Sequence, residues 1–388
     1  MKTSHKLAVA LVGIAALVAL FLILRTDGAG TPTPPAPQAL AVGAILPLSG
    51  ENASFGTTAR AAFEIAQADA TAAGRAPVTI VYGDSQLDKD KALAQWRRLV
   101  QEEKVVAFTE VTGSGIALAL AGIAAQDQVP MVSGIDTSPA LTTQGGKFFF
   151  RVIPSDAYSG KVLADWTTGE GLKQAALIYN QQNDWAVGFH DAVNGAYPAA
   201  GGTLGEKSTL TVTDDTVDFG PAITTLKQAN PQAVFVGLMG RQAGLFVAQA
   251  VDKGLTGPFF GVDNFAQQEF VEGAGPAAAR ARLALPSEST SDRARQFADT
   301  FREKTGRDAD AIAFKAYDAY MVLLTAIEEV SRRGGTVTGA AIRDALATTR
   351  VEGITGPISF DSNNDLAEAS YSRFTFAKDG SRIPFSAE

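Results

Sequence analysis

The chain has 388 residues, of which 46% are hydrophobic, and its length corresponds to two or three domains with their own cores. Thirty-three basic residues against 41 acidic ones leave a net charge of −8, which argues against nucleic-acid binding because such surfaces need clustered cations. The absence of cysteine and the presence of only His5 and His190 leave little for a metal site or a catalytic triad. The composition therefore points away from an enzyme and predicts neither a metal nor another cofactor.

The N-terminal part predicts export. Residues 1–6 form a short basic segment, and eighteen uncharged, mostly apolar residues follow over 7–24. This length lies between the core of a signal peptide, about 7–15 residues, and a spanning helix, about 17–25. Because no A-x-A site follows directly, we expect an uncleaved anchor that leaves the rest of the chain outside the cytoplasm, with a cleaved signal peptide as the alternative. Residues 25–39 contain TPTPPAP and form an extended spacer.

From residue 40 onward, short apolar runs alternate with helical patterns, which is typical of a parallel sheet covered by helices on both faces. The rhythm restarts after residue 154, so we expect two doubly wound α/β lobes. Three late helices, over 296–304, 310–330 and 340–348, have no strands of their own and are expected to return to the first lobe. The predicted strands are 40–48, 78–82, 105–109, 130–133, 174–179, 204–212, 233–236 and 258–261, and the helices between them are 55–70, 88–103, 115–126, 185–197, 219–229 and 242–253.

Motifs of catalysis and cofactor binding are absent from the sequence. It has no G-x-x-x-x-G-K-[ST], no H-E-x-x-H and no G-x-S-x-G, and no G-x-G-x-x-G follows a strand. Residues 361–365 (DSNND) look like the start of a calcium loop, but Leu366 and Ser372 stand where such a loop needs glycine and an acid. Two open sheets joined by several crossings instead favour a hinged clam-shell that binds its ligand at the carboxyl ends of both sheets.

Five segments carry a family resemblance: 44–55 (AILPLSGENASF), 112–114 (TGS), 131–141 (MVSGIDTSPAL), 301–320 (FREKTGRDADAIAFKAYDAY) and 353–361 (GITGPISFD). In order and spacing they resemble the periplasmic leucine/isoleucine/valine-binding proteins, the type I substrate-binding proteins of ABC transporters, over about 40–385. The resemblance implies three inter-lobe crossings, near 151–154, 283–287 and 353–356. Lobe 1 would then comprise 40–152 plus 288–354, and lobe 2 would comprise 153–287 plus 355–388.

The family also implies a function: a non-catalytic receptor delivers a small polar ligand, most simply an amino acid of the branched-chain type, to ABC permease subunits. We expect a monomer, because a hinged receptor must close freely. The alternatives are a ligand sensor of the same fold that reports to a signalling partner, and a receptor for an amide, a polyamine or a small aromatic acid.

Two hydroxyl side chains are candidates for holding a ligand carboxylate. Ser114 and Thr137 each precede a helix, where a hydroxyl and free backbone N–H groups bind anions, although ordinary helix capping is the alternative. The resemblance places the ligand ammonium between Asp263, which follows a second-lobe strand, and the carbonyl of Ile135.

The resemblance also implies walls for the cleft. Trp185 and Phe55 are expected to close over the ligand, while Met239 and Arg241 are candidates for shaping its side-chain pocket.

Glu110 and Asp136 depart from the family pattern. Two acids beside a carboxylate site oppose an anion unless they point away or pair with cations. They are therefore included as candidate ligand contacts, and they would suit a second amino group, an amide or a polyol.

Overall fold

The computed structural model describes residues 40–287 and 289–386. The predicted basic segment, apolar segment and spacer over 1–39 lie outside these described residues. Among the helices that are described, none is both long enough and apolar enough to cross a membrane.

The first lobe is built on five parallel strands. Strand β1 is apolar on both faces, as its central place in a sheet covered on both sides requires. The strands are β1 (Leu40–Leu46), β2 (Val78–Asp84), β3 (Phe108–Val111), β4 (Met131–Ser133) and β5 (Phe149–Arg151), in the spatial order β2-β1-β3-β4-β5. The helices between them are α1 (Ala53–Ala72), α2 (Lys89–Gln101), α3 (Ser114–Asp127) and the short α4 (Ala140–Thr143).

Helix α2 shows how the sequence places these helices. The Asp88 carboxylate caps its first turn by accepting a hydrogen bond from the Lys91 N–H at 2.8 Å. Its apolar residues recur at helical spacing, so one face is buried on the sheet, where Trp96 stacks on Phe108 with ring centroids 4.3 Å apart.

The second lobe repeats the pattern with five further strands that pair in parallel. These are β6 (Gln174–Asn180), β7 (Thr203–Val212), β8 (Ala233–Gly237), β9 (Phe259–Gly261) and β10 (Ala281–Pro286). The helices are α5 (Asp156–Gly169), α6 (Asp184–Ala199), α7 (Gly220–Ala229), α8 (Gly240–Asp252) and α9 (Gln268–Ala274).

The C-terminal segment serves both lobes. Its helices α10 (Asp292–Thr305), α11 (Ala311–Arg332) and α12 (Gly339–Leu346) share the core of the first sheet. A hairpin of β11 (Arg350–Gly353) and β12 (Gly356–Ser359) follows. Strands β13 (Tyr371–Phe376) and β14 (Arg382–Pro384) then extend the second sheet, with β13 antiparallel to β10, in the order β14-β13-β10-β9-β8-β6-β7.

The third crossing between the lobes lies C-terminal to residue 355, the residue at which lobe 2 was predicted to resume. Ile358 is buried in the first-lobe core, Phe360 packs edge-on against Phe150, and the Asp365 carboxylate pairs with the fully buried Arg151. The chain therefore joins the second sheet only at β13. The family resemblance implied a crossing near 353–356, but these residues close the β11–β12 hairpin instead.

Candidate functional site

A cavity of about 370 Å³ lies between the lobes, at the carboxyl ends of both sheets. Its first-lobe wall is the start of α3 and the loop after β4. Its second-lobe wall is the start of α6 and the segments after β8 and β9. The cleft predicted from the alternation of strands and helices is therefore present.

The lobes are closed over this cavity. At its mouth the Lys89 ammonium lies 2.6 Å from an Asp184 carboxylate oxygen, and the Ser54 hydroxyl donates to Glu269 at 2.7 Å. A Cβ added to Gly115 would lie 2.0 Å from the Asp184 carboxylate, so only glycine allows this approach. Each of these contacts joins one lobe to the other.

A buried hydrogen-bond relay also crosses the cleft. The Trp185 indole Nε1–H donates to the Thr137 hydroxyl at 3.0 Å, and that hydroxyl donates to the Asp156 carboxylate at 2.7 Å. Thr137 belongs to the first lobe, whereas Trp185 and Asp156 begin α6 and α5 of the second. That Thr137 binds a ligand carboxylate stays a prediction; in this closed arrangement its hydroxyl is engaged on both sides, and Thr137 does not line the cavity.

The start of α3, residues 113–116, lines the cavity from the first lobe. Gly113 adopts a φ of 110°, which favours glycine, and this conformation turns the chain from β3 into the helix. The N–H groups of a first helical turn have no partner within the helix, and the helix dipole favours negative charge there. Ser114 lines the cavity, and its oxygen accepts from the Ser138 N–H at 3.3 Å, which leaves its hydroxyl hydrogen free to donate.

Glu110 does not line the cavity but lies fully buried beneath it. Its carboxyl accepts from the Val111 N–H at 3.0 Å, the Ser133 hydroxyl at 2.8 Å and the Gly134 N–H at 2.8 Å. Burial raises the pKa of Glu110 well above its usual range, and the charge of Asp136 raises it further. A ligand contact at Glu110 stays a prediction; in this structure its carboxyl lies outside the cavity and holds the loop whose next residues, Ile135 and Asp136, line the cavity.

Asp136 does line the cavity, and one of its oxygens accepts from the Gly113 N–H at 2.8 Å. Burial raises the pKa of Asp136 to about 7. Glu110 and Asp136 are neighbours in a buried environment. The pair is therefore more stable with one carboxyl protonated than with both carboxylates ionised. The conflict between two acids and a ligand anion, noted from the sequence, is thereby reduced.

Asp263 lies on the second-lobe side of the same cavity, in the short helical turn Asp263–Phe265. Burial raises the pKa of its carboxyl to about 8, and the charges of Asp156 and Asp136 add to the shift. Its neighbour Asn264 fixes this turn, since its side-chain amide donates to the Val236 and Leu238 carbonyls at 3.0 and 2.9 Å. A cationic group of a ligand placed beside this buried carboxyl would favour its ionised form.

Of the other predicted residues, Phe55, Ile135, Trp185 and Met239 line the cavity, while Arg241 is exposed outside it. Sequence reasoning missed Gln267, which is 4% exposed and whose amide oxygen and nitrogen have no hydrogen-bond partner among the described residues. Its place just before α9, after a second-lobe strand, was the available signal. The charged side chains that line the cavity are Asp88, Lys89, Asp136, Asp184, Asp214 and Asp263.

Two hinged α/β lobes closed over a shared cavity define the class of ligand-binding receptors. The family model of the periplasmic binding proteins matches residues 39–381, and the chain belongs to that family. It is 24% identical over 339 residues to Leu/Ile/Val-binding protein homolog 3 of Brucella melitensis, covering 86% of this chain and 90% of that protein. It is 25% identical to the leucine-, isoleucine-, valine-, threonine-, and alanine-binding protein of Pseudomonas aeruginosa, covering 87% and 89%.

Among solved structures, a leucine-binding protein from Thermotoga maritima matches with a TM-score of 0.81 and 26% identity, over 90% of this chain and 98% of that one. The predicted family and the type I fold are confirmed. The protein is a substrate-binding protein of the Leu/Ile/Val-binding type, and its family consists of extracytoplasmic, non-enzymatic components of ABC transport.

Proposed function

We propose that the protein is the receptor of an ABC importer for an amino acid, of the branched-chain type or related to it, and that it closes on this ligand between its lobes. The observation that carries the proposal is that the start of α3 and Asp263 line one cavity from opposite lobes. The first suits a carboxylate and the second an ammonium, so an α-amino acid would bind both lobes at once.

Ligand binding of this kind shifts the equilibrium between the open and the closed form of the protein and involves no covalent chemistry. A ligand that contacts both lobes binds the closed form more tightly than the open form. At saturation, the ratio of closed to open protein increases by the ratio of these two affinities. The closed form then differs from the open one in the surface it offers to permease subunits. We propose tethering by residues 7–24 and action as a monomer, because a hinged receptor must open and close freely.

The side-chain end of the cavity supports two ligand classes. Phe55, Met239 and Trp185 provide apolar walls, which favour a branched-chain or other apolar side chain. The Gln267 amide has no hydrogen-bond partner among the described residues, and the carboxylates that line the cavity outnumber its one lysine, Lys89. Both features favour a ligand side chain with an amide or a second amino group. An amino acid fits both the carboxylate site and the ammonium site in either case.

A thermal-shift screen of the full chain in mild detergent tests the proposal. The probes are the twenty amino acids, spermidine, benzoate and a neutral polyol, since a ligand that binds only the folded state raises the melting temperature. We expect a shift with one or a few amino acids, lost in Ser114→Ala and in Asp263→Asn. Asp165→Asn is the matched control, because Asp165 is an exposed acid on α5 that pairs with Lys161 of the same helix.

A shift with benzoate or spermidine alone would keep the receptor and reject the amino acid. An amino-acid shift that survives both cleft variants would reject the assigned carboxylate and ammonium sites. A sensor would give the same screen, so uptake of the identified ligand by membrane vesicles carrying the partner permease separates it from an importer.

A further inference from the structure

A second cavity, of about 210 Å³, lies at the hinge. Each of the three segments that join the lobes contributes to its wall: Pro154 from the first, Pro286 and Ser287 from the second, and the stretch 366–370 from the third. It shares no lining residue with the ligand cleft. This hinge cavity is therefore a separate space whose shape depends on how the lobes are arranged.

The hinge cavity is lined by a buried lysine that makes no direct ion pair within 4 Å among the described residues. Lys315, on α11, is 6% exposed, and its ammonium donates to the Thr355 hydroxyl at 3.0 Å, its single hydrogen bond among the described residues. The nearby Asp318 carboxylate is occupied by the Ile354 N–H at 2.8 Å and by the Thr355 N–H and hydroxyl at 3.0 and 2.5 Å. Two of the three ammonium donors therefore remain free in a desolvated place.

A buried cation of this kind is costly unless an anion joins it. Burial lowers the pKa of Lys315 to about 8, and the charge of Asp318 only partly opposes this shift. At neutral pH the side chain is still largely protonated, so an anion placed against its two free donors would be held by charge-assisted hydrogen bonds.

The walls of the hinge cavity indicate which anion. Three prolines and Leu366 provide apolar surface, while the Ser287 hydroxyl adds a further polar group. Glu368 lies at the exposed edge and disfavours a second negative charge. We propose that the hinge cavity binds a small organic monocarboxylate, with its carboxylate on the Lys315 ammonium and its alkyl end against the prolines.

Such a ligand would act on the hinge as well as fill it. All three inter-lobe segments line the cavity, so a bound acid stabilises the lobe arrangement in which these walls fit it. By linkage, occupancy of the hinge cavity and occupancy of the cleft then affect each other's affinity by the same factor.

Calorimetric titration of the full chain in mild detergent with sodium propionate tests the site, with propionamide and sodium chloride as the neutral and salt controls. We expect saturable 1:1 binding of propionate only, about tenfold or more weaker in Lys315→Met because a charge-assisted contact is lost. Lys161→Met, at an exposed lysine of α5, is expected to change affinity less than about twofold. Equal affinity of wild type and Lys315→Met, or equal binding of propionamide, would overturn the proposal.

The cleft could also take up propionate at the start of α3, and Ser114→Ala separates the two sites. Loss of propionate binding in Ser114→Ala with retention in Lys315→Met would assign the acid to the cleft and overturn the hinge site. Should Lys315→Met fail to fold, as judged by circular dichroism, Glu368→Gln gives an independent reading at an exposed position. It should bind propionate about two- to fivefold more tightly because a repulsive charge is removed, and an unchanged affinity would contradict the site.

Discussion

Replacing Thr137 with valine is expected to weaken ligand binding by opposing closure of the lobes. Valine keeps the shape of threonine but removes the hydroxyl that accepts from Trp185 at 3.0 Å and donates to Asp156 at 2.7 Å. In the closed form both partners are buried, so each would lose its partner without regaining water. In an open form water can replace the lost hydroxyl.

The size of the effect follows from these two contacts. A neutral hydrogen bond contributes about 0.5–1.5 kcal/mol, and one to a charged group contributes about 1.5–3 kcal/mol. Burial raises the pKa of Asp156 to about 6, so its carboxyl is mostly ionised at pH 7.5. Allowing for partial relaxation, a loss of about 2 kcal/mol from the closed form corresponds to about thirtyfold weaker binding.

Calorimetry with the amino acid identified in the screen measures this loss, and small-angle scattering at saturating ligand measures whether closure still occurs. Thr137→Ser is the matched control, because it restores the hydroxyl and should recover affinity to within a few fold. The reasoning is refuted by a Thr137→Val protein that binds like the wild type, or by one whose loss serine does not repair.

Three further predictions concern the acids and the rim. Burial raises the pKa of Asp263 to about 8, whereas an aspartate in the unfolded chain releases its proton near pH 4. The folded protein without ligand therefore holds this proton more tightly than the unfolded chain, and its stability falls as the pH rises from about 4 to about 8. Asp263→Asn should therefore melt higher than the wild type at pH 8 but not at pH 4 in calorimetric scans, while its affinity for an amine ligand falls; a lower melting temperature at pH 8 would contradict this. Glu110→Gln replaces one carboxyl oxygen, a hydrogen-bond acceptor, with an NH₂ group that faces the donors now bound to it. We expect the free energy of unfolding, measured in urea titrations, to fall by about 1–3 kcal/mol. Unchanged stability would show that the carboxyl does not hold the loop. Lys89→Ala should weaken ligand binding by less than about fivefold, and salt should reduce the difference, because Lys89 and Asp184 are 58% and 45% exposed; a loss that salt does not reduce would argue against a screened rim pair.

The fold could be predicted from the sequence because its signals are local. Apolar runs of strand length alternate with helical patterns through both lobes, and most residues of α11 are buried because it packs on the first sheet and α1. The third crossing was misplaced because nothing in the local sequence shows that Asp365 reaches back to Arg151. That ion pair joins residues 214 positions apart.

A site residue could be predicted from the sequence where its role depends only on its position between a strand and a helix. Ser114 begins a helix directly after a strand, and this alone places it at the cleft. Thr137 has a similar local pattern, but its role depends on Trp185 in the other lobe, which local sequence does not reveal. For Glu110, no rule available from one sequence indicated that its carboxyl turns to the Gly134 N–H beneath the cavity.

Gln267 was missed for a related reason. A glutamine before a helix is common, and its importance appears only when its amide is found buried without a partner beside the cavity.

The central claim is that an unmodified amino acid bridges the two lobes. A crystal structure of the complex with the amino acid identified in the screen tests it most directly. The account predicts an intact ligand with its carboxylate at the start of α3, beside Ser114, and its ammonium on Asp263. A ligand whose charged groups lie elsewhere in the cleft, or one that contacts a single lobe, would contradict it.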